Sequence, residues 1–380
     1  MILIKNVMVQ NPKSLGIKDV LIAGEKIVLI EDNISAYPQG TEIINGDGKI
    51  LIPGLIDQHV HITGGGGEGG FKTRVPEMQL SQAIKAGVTT VVGLLGTDSD
   101  TRNMENLVGK AKGLKAEGLS VYLITGSYDY PTKTLTGSVR KDLIFIEEIV
   151  GAKVALSDHR APQIKKCELL RLASDVRVAG MISGKAGILV LHMGNGKNGL
   201  MDVLHIIEET DIPSKTFRPT HMNRKRNLLL EGFQFAKKLG YIDLTSATSK
   251  DLTPDKVIQM AKEEKVPLDR ITVSSDGFGS WSKYDQEGKM IDIGVAKIDT
   301  LWSSFVKVAE MENGDLEKAL PYFTSNVAKA LQIESHKGFI DEGKDADLIL
   351  LNKDLEKEIV MAKGKIMFEK GMLMAKGTYE

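Results

Sequence analysis

The first fifty residues alternate apolar and polar positions in short runs, Ile2–Val9, Val20–Ile22, Lys26–Ile30 and Thr41–Ile44, broken by Asn-Pro, Gly-Glu and Gly-Asp-Gly-Lys turn signals. A period of two puts every second side chain on one face, so this segment predicts a half-buried β-sheet. The same texture returns at Asp347–Leu351, Lys357–Ala362 and Lys365–Leu373. The two ends are therefore expected to pair into one small β-sandwich domain, residues 1–52 with 342–380. Between them, over residues 53–341, the rhythm changes. Apolar runs at Leu51–Ile62, Val88–Leu95, Ser120–Thr125, Lys153–Ser157, Gly187–Met193, Lys215–His221, Tyr241–Ser246 and Arg270–Ser275 are separated by helical segments. That alternation is the mark of parallel βαβ units. Several helices stop at a glycine before the next run, at Gly87, Gly118 and Gly240, where glycine can close a helix in the left-handed conformation. Eight such repeats predict an α/β fold of the (β/α)8 TIM-barrel type, with a doubly wound open sheet as the alternative.

Composition narrows the classes of function. At 380 residues the chain exceeds what a single core supports, which agrees with two structural units. Forty-nine basic and fifty acidic residues leave a formal net charge of −1, so nothing draws the whole molecule to nucleic acid or to an anionic membrane. No apolar run is long enough to cross a bilayer. The single cysteine, Cys167, cannot form an internal disulfide, and no cleavable leader pattern opens the chain, so a cytoplasmic location is expected. Thirty-nine glycines and only 5% aromatic residues suit a loop-rich enzyme better than a module built on aromatic anchors.

Candidate chemistry begins with Ile56-Asp57-Gln58-His59-Val60-His61. Residues two apart on a strand share a face, so His59 and His61 can present both imidazoles to one metal ion, whereas a lone histidine would be a structural residue. His192 and His221 each end a later apolar run and are read as further ligands. His205 and His336 are read as surface side chains, and His159 as either a bland loop residue or a support behind the ligands. Asp276 follows the eighth run, where a carboxylate is costly unless a metal, donor or substrate compensates it; a helix N-cap is its alternative. There it can ligate a metal and also carry a proton from water to a leaving amine. Lys153 lies in Ala152-Lys153-Val154-Ala155, where a strand buried on both faces solvates an ammonium poorly. A neutral buried amine can take up carbon dioxide to become a bridging carbamate, and a salt-bridged or solvent-reaching lysine remains the other possibility. Four histidines, an acid and a possible carbamate exceed the needs of one tetrahedral ion, so two divalent ions fit better. Water bridging two ions would lose a proton near neutral pH and become the nucleophile while one cation polarises the scissile carbonyl.

Taken together, His59-Val60-His61, Lys153, His192, His221 and Asp276 at successive strand ends, with a split β domain, resemble the binuclear branch of the amidohydrolase superfamily. Asp57-Gln58-His59-Val60-His61-Ile62-Thr63-Gly64-Gly65-Gly66-Gly67-Glu68-Gly69-Gly70 is similar to the first-strand loop of the members that act on β-aspartyl dipeptides. Gly87–Asp98, Leu135–Val139, Ser157–Arg160, Pro219–Arg224 and Ser274–Gly277 carry the likeness along the chain, and Gly343–Leu348 resembles the usual entry into the C-terminal β segment. The resemblance implies a metallo-dipeptidase with two zinc ions and Lys153 carboxylated by carbon dioxide. It also implies Asp276 as general base and then acid, Tyr128 as donor to the oxyanion, and Glu68 as holder of the α-ammonium. Arg160, Arg224 and Ser280 would anchor the carboxylate and nearby polar groups, with backbone around Gly66 and Thr97 lining the pocket. The residue types suit those roles, because a β-aspartyl peptide needs one fixed anion and a guanidinium, whose planar fork matches a carboxylate.

Gly64–Gly69 also satisfies the G-x-G-x-x-G pattern, but no acidic residue ends a second strand at the proper spacing, so dinucleotide binding is set aside. Ring opening of a dihydroorotate- or hydantoin-like amide is the main alternative chemistry, and Glu68 argues against it because such rings offer no ammonium. A metal-free assembly protein of the same fold is the non-enzymatic alternative, and it should lack ligands that are all present here. The segment Trp281–Met290 departs from the family pattern, which leaves the preferred leaving residue open. The resemblance further suggests a homo-oligomer, up to an octamer.

Overall fold

The computed structural model describes residues 1–380. The N-terminal strands are β1 (Ile2–Asn11), β2 (Lys13–Ala23), β3 (Lys26–Glu31), β4 (Glu42–Asn45) and β5 (Ile50–Pro53). Eight strands then alternate with helices: β6 (Leu55–Val60), β7 (Val88–Gly93), β8 (Ser120–Gly126), β9 (Ile149–Leu156), β10 (Ile188–Met193), β11 (Phe217–Thr220), β12 (Ile242–Thr245) and β13 (Ile271–Ser274). A hairpin of β14 (Ser280–Tyr284) and β15 (Met290–Val295) follows, and after further helices come β16 (Leu348–Leu351), β17 (Lys357–Ala362), β18 (Lys365–Glu369) and β19 (Met372–Leu373).

Strands β6 to β11 form a parallel sheet in chain order, and β12 pairs in parallel with β13. The sheet curls, because Val60 bridges in parallel to Gly277 just beyond β13 and the His61 amide donates to the Gly277 carbonyl at 2.9 Å. Residues of β6, β7, β9 and β10 are buried on both faces, which is why these runs are nearly continuous in apolar residues rather than alternating. On β10, Ile188, Val190 and His192 share one face. Ile188 and Val190 join Ile56, Val92 and Ile124 in an apolar plug, and His192 stands above it at the C-terminal end.

One apolar run serves two sheets. The predicted strand Leu51–Ile62 is broken at Gly54, where a Cβ would lie 2.2 Å from the Thr89 hydroxyl; β5 joins the terminal sheet and β6 the central one. Gly87 and Gly118 do adopt positive φ after their helices. At the third predicted cap the left-handed residue is instead Leu239, with φ 65°. Gly240 is required for space, since a Cβ there would sit 2.1 Å from the Phe235 ring.

The terminal strands pair as expected across the chain, through β5 and β16. They form one hydrogen-bonded sheet, β19-β18-β17-β16-β5-β1-β2-β3 with β4 forked onto β1, rather than the two separate layers of a sandwich. The sheet curls until β3 meets the segment before β16: Ile27 N donates to Lys344 O at 3.0 Å and Ala346 N to Glu25 O at 2.8 Å. Continuous backbone pairing through β5 and β16 joins the N- and C-terminal strands within one sheet, so they are not divided between two. Val7, Val20, Leu348 and Ile359 fill the inside of the curl, while Ile349, Leu351, Val360 and Ala362 on the opposite face pack into the central core. No helix is long and apolar enough to cross a membrane.

Candidate active site

The side chains singled out as ligands come together at one end of the curled sheet. His59 lies on β6, Lys153 on β9 and His192 on β10, while His61, His221 and Asp276 lie just past β6, β11 and β13. His221 and Asp276 take left-handed backbone, φ 61° and 56°, a conformation that histidine and aspartate tolerate better than most residues. It turns the chain sharply at the strand end and keeps the side chain over the sheet. Asp276 Oδ1 lies 3.2 Å from His61 Nε2 and 3.5 Å from His59 Nε2. Lys153 Nζ lies 3.5 Å from His59 Nε2 and donates to the Leu95 carbonyl at 2.8 Å. Ligand atoms of His59, His221 and Asp276 all fall within 4.8 Å of one another.

Burial sets the protonation states. It holds His59, His192 and His221 well below the usual imidazole range, and neighbouring Lys153 lowers His59 further. His61 is lowered too, although Asp276 opposes the shift. Neutral imidazole is the form that ligates a cation. Lys153 is fully buried, and burial draws its amine down to about 7 against the opposing pull of Asp276.

The donor set fits a metal by an independent sign. Buried His221 Nε2 and His61 Nδ1 have no hydrogen-bond partner, an uncompensated cost that a bound cation would remove. His221 Nδ1 meets Thr245 Oγ1 at 2.7 Å, an outer contact of the kind that fixes a ligating ring. His192 differs, because Nδ1 meets the Tyr128 hydroxyl at 2.8 Å and Nε2 meets Asp158 at 3.2 Å. For His192 to ligate through Nδ1, Tyr128 must swing aside.

A charged rim surrounds this cluster. Glu68, 6% exposed at its side chain, accepts from Ser280 Oγ at 2.8 and 2.9 Å and from Thr97 Oγ1 at 3.2 Å, and it pairs with Arg160 at 3.2 Å. Gly66, with φ 82°, brings the loop so close to Thr73 that a Cβ would lie 2.3 Å from its carbonyl oxygen. Arg160 stacks 5.3 Å from the Tyr128 ring centroid. Burial pushes the Tyr128 phenol well above its ordinary range, so it remains a donor. Arg224 reaches the same region, 3.9 Å from Asp158.

Two acids escaped the sequence reading. Asp158 receives the Arg160 Nε and NH2 groups at 3.0 and 2.9 Å besides His192. Burial alone would raise its carboxyl, but the bonds to His192 and Arg160 outweigh that and hold it well below the usual carboxylate range. Asp57 Oδ1 accepts from the His59 and Ser275 amides, tying β6 to the end of β13, while its Oδ2 is buried without a partner. Both stand next to residues already marked, and an acid inside a buried run was the available signal. His159 stays outside the cluster, with its side chain 62% exposed. His336 is not the plain surface residue expected, since its ring is half-buried and meets the Tyr122 hydroxyl at 2.7 Å.

These features agree with comparison to known proteins. The chain belongs to the amidohydrolase family, which it matches over residues 50–367. It is 43% identical to a β-aspartyl dipeptidase from the thermophilic, keratin-degrading Fervidobacterium islandicum AW-1, whose crystal structure holds a β-Asp-Leu dipeptide; 98% of each chain is covered, with a TM-score of 0.92. A dihydropyrimidinase from Brevibacillus agri, 17% identical over 99% of this chain and 96% of its own with a TM-score of 0.68, shares the fold. Among curated sequences, a dihydroorotase from Streptococcus pyogenes is 35% identical over 126 residues, a match spanning 32% of this chain and 28% of that protein.

Proposed function

We propose that this protein is a binuclear metallo-dipeptidase that hydrolyses β-aspartyl (isoaspartyl) dipeptides at the amide made through the aspartate side chain. The observation that carries the reading is the pairing of Glu68 with Arg160, 3.2 Å apart on the rim of the histidine cluster. A β-aspartyl dipeptide presents a free α-ammonium and α-carboxylate beside its scissile amide, and this rim holds a complement to each. Likeness at 43% identity over nearly the whole chain to a β-aspartyl dipeptidase supports the same substrate class. In this reading the eight parallel strands close as a (β/α)8 barrel, residues 53–341, flanked by a β domain of residues 1–52 and 342–380.

His59, His61, His192, His221, Asp276 and a carboxylated Lys153 would hold two divalent ions, with zinc expected. Bound there, the ions would polarise the scissile carbonyl and acidify water. The chain's own residues do the rest. Glu68 fixes the α-ammonium, with Ser280 and Thr97 orienting its carboxylate, and Arg160 and Arg224 hold the substrate carboxylate. Tyr128, kept protonated by burial, donates to the oxygen that gains charge as the carbonyl is attacked. Asp276 takes a proton from the attacking water on Oδ1 and delivers it to the departing nitrogen.

The local match to dihydroorotases favours a second reading, a cyclic amidohydrolase at the same site. An assay of metal-replete protein on a β-aspartyl dipeptide, its α-linked isomer and dihydroorotate separates the two. Turnover of the β-linked isomer alone is expected, and Glu68→Gln should lower its kcat/KM by roughly a hundredfold. Equal rates on both isomers, or turnover of the ring alone, would refute the proposal.

A further inference from the structure

Asp158, just past β9 and 4% exposed, stands between the histidine cluster and the charged rim. Its Oδ2 accepts from His192 Nε2 at 3.2 Å and from Arg160 Nη2 at 2.9 Å, while its Oδ1 accepts from Arg160 Nε at 3.0 Å. A carboxylate only accepts, so His192 must carry its proton on Nε2. That tautomer leaves the lone pair on Nδ1, the atom that meets the Tyr128 hydroxyl at 2.8 Å and that would ligate a cation once Tyr128 moves. The same carboxylate grips Arg160 along its Nε–Nη2 edge, a bidentate contact that fixes the plane of the guanidinium. Only Nη1 is left to present, and Nη1 is the atom that lies 3.2 Å from Glu68. One side chain thus sets both the ligating nitrogen of His192 and the donor that Arg160 offers to the pocket.

We infer that Asp158 is a positioning residue that links the substrate anchor to the metal centre, so that a disturbance at Arg160 is felt by a metal bound through His192. The inference rests on the proposed metallo-dipeptidase function and adds a coupling that neither the ligand set nor the rim requires by itself. The rival role is purely local. Oδ1 also accepts from the Arg160 amide at 2.9 Å, closing a turn over Asp158–Arg160, and the amide oxygen of an asparagine can keep that bond. What asparagine cannot do is accept at the second position, where its amide NH2 faces the donors of His192 and Arg160. Asp158→Asn therefore separates the turn from the link. A second route from Arg160 to His192 runs through Tyr128, whose ring the guanidinium stacks against, and that route bypasses Asp158.

The test is a double-mutant cycle on zinc affinity, measured by competition with a chelator in the absence of substrate, for wild-type protein, Asp158→Asn, Arg160→Met and the double variant. Asp158→Asn should weaken zinc binding by about tenfold or more. Arg160→Met, which removes no hydrogen bond to a proposed ligand, should weaken it by about fivefold, and in the Asp158→Asn background it should add nothing. Cobalt-substituted Arg160→Met should show a shifted absorption band, which a change confined to the rim does not produce. With excess zinc restoring the metal, Asp158→Asn should still raise KM for β-Asp-Leu by about tenfold, because Arg160 is no longer aimed. Unchanged zinc affinity in Arg160→Met would overturn the inference. Additive losses in the double variant would do so too, since the coupling would then run through Tyr128, as would full recovery of KM with excess zinc. Should Asp158→Asn fail to fold, the zinc affinity and cobalt band of Arg160→Met decide alone. Protein that binds zinc yet turns over no β-aspartyl dipeptide would refute the dipeptidase reading separately, because the zinc cycle uses no substrate.

Discussion

Two lysines are buried in this protein, and they live in opposite states. Lys153, fully buried on β9, has no carboxylate in ion-pair contact; it meets the Leu95 carbonyl and an imidazole, and its amine is drawn down to about 7. Lys337, 3% exposed where the terminal sheet docks, lies 2.8 Å from Asp345, touches Asp347 and donates to Ser120 Oγ at 2.6 Å. Burial would lower its amine as well, but Asp347 and Asp345 outweigh burial and raise it. The same side chain is an amine that gives up its proton near neutral pH in one place and a fixed cation in the other. Burial alone therefore does not fix the state of a lysine; the presence or absence of a carboxylate in contact with it does.

Replacing each lysine should separate the two states, and the largest effect is expected at the first. Lys153→Met should cut dipeptide hydrolysis by about a thousandfold or more, while the melting temperature of the metal-free protein holds or rises. A fall in stability with activity retained would erase the contrast. Lys337→Met should do the reverse, costing about 3–5 kcal/mol by leaving the buried Asp347 without its cation, while Asp345 keeps Lys26, with kcat/KM of the folded fraction near wild type; urea unfolding measures it. A smaller effect follows from pH. Only neutral amine captures carbon dioxide, so NMR with isotope-labelled carbon dioxide should show carbamate on metal-free protein above about pH 7 and its loss below. Lys337 should show none at either pH.

The smallest effect concerns Asp57, whose carboxyl is raised by burial to about 7 from an ordinary 3.8. The folded chain keeps a proton that the unfolded chain has released, so this group's contribution to stability is full below pH 3.8 and lost as pH rises towards 7. Asp57→Asn, which keeps the acceptor for the His59 and Ser275 amides, should flatten the melting temperature of metal-free protein across that window. An unchanged slope would assign the dependence to another group.

The parts legible in the sequence are those written locally. Apolar runs separated by helical segments marked all eight central strands, and histidines at run ends marked the cluster, because strand geometry dictates which side chains share a face. Lys153 stood out only because its run is otherwise apolar. Lys337 could not stand out, since Asp345 and Asp347 acquire meaning only once the sheet docks. The partners of Asp158 likewise come from three separate strand ends. The hairpin was flagged merely as unusual, its short strands being masked by Lys283, Asp285 and Glu287. The curl of the terminal sheet depends on hydrogen bonds between residues about 320 positions apart, such as Ala346 with Glu25, and no local period records them.

That pairing also sets an order of events during synthesis. Strand β5 is complete by Pro53, but its antiparallel neighbour β16 begins at Leu348, roughly 300 residues later, or about 15–60 s at ordinary translation rates. Throughout that interval the Ile50–Pro53 edge of the nascent chain faces the cell without its partner, beside a central region that can already begin to fold. A ribosome that stalls before β16 releases a chain with an open β edge, the kind of edge that recruits other strands.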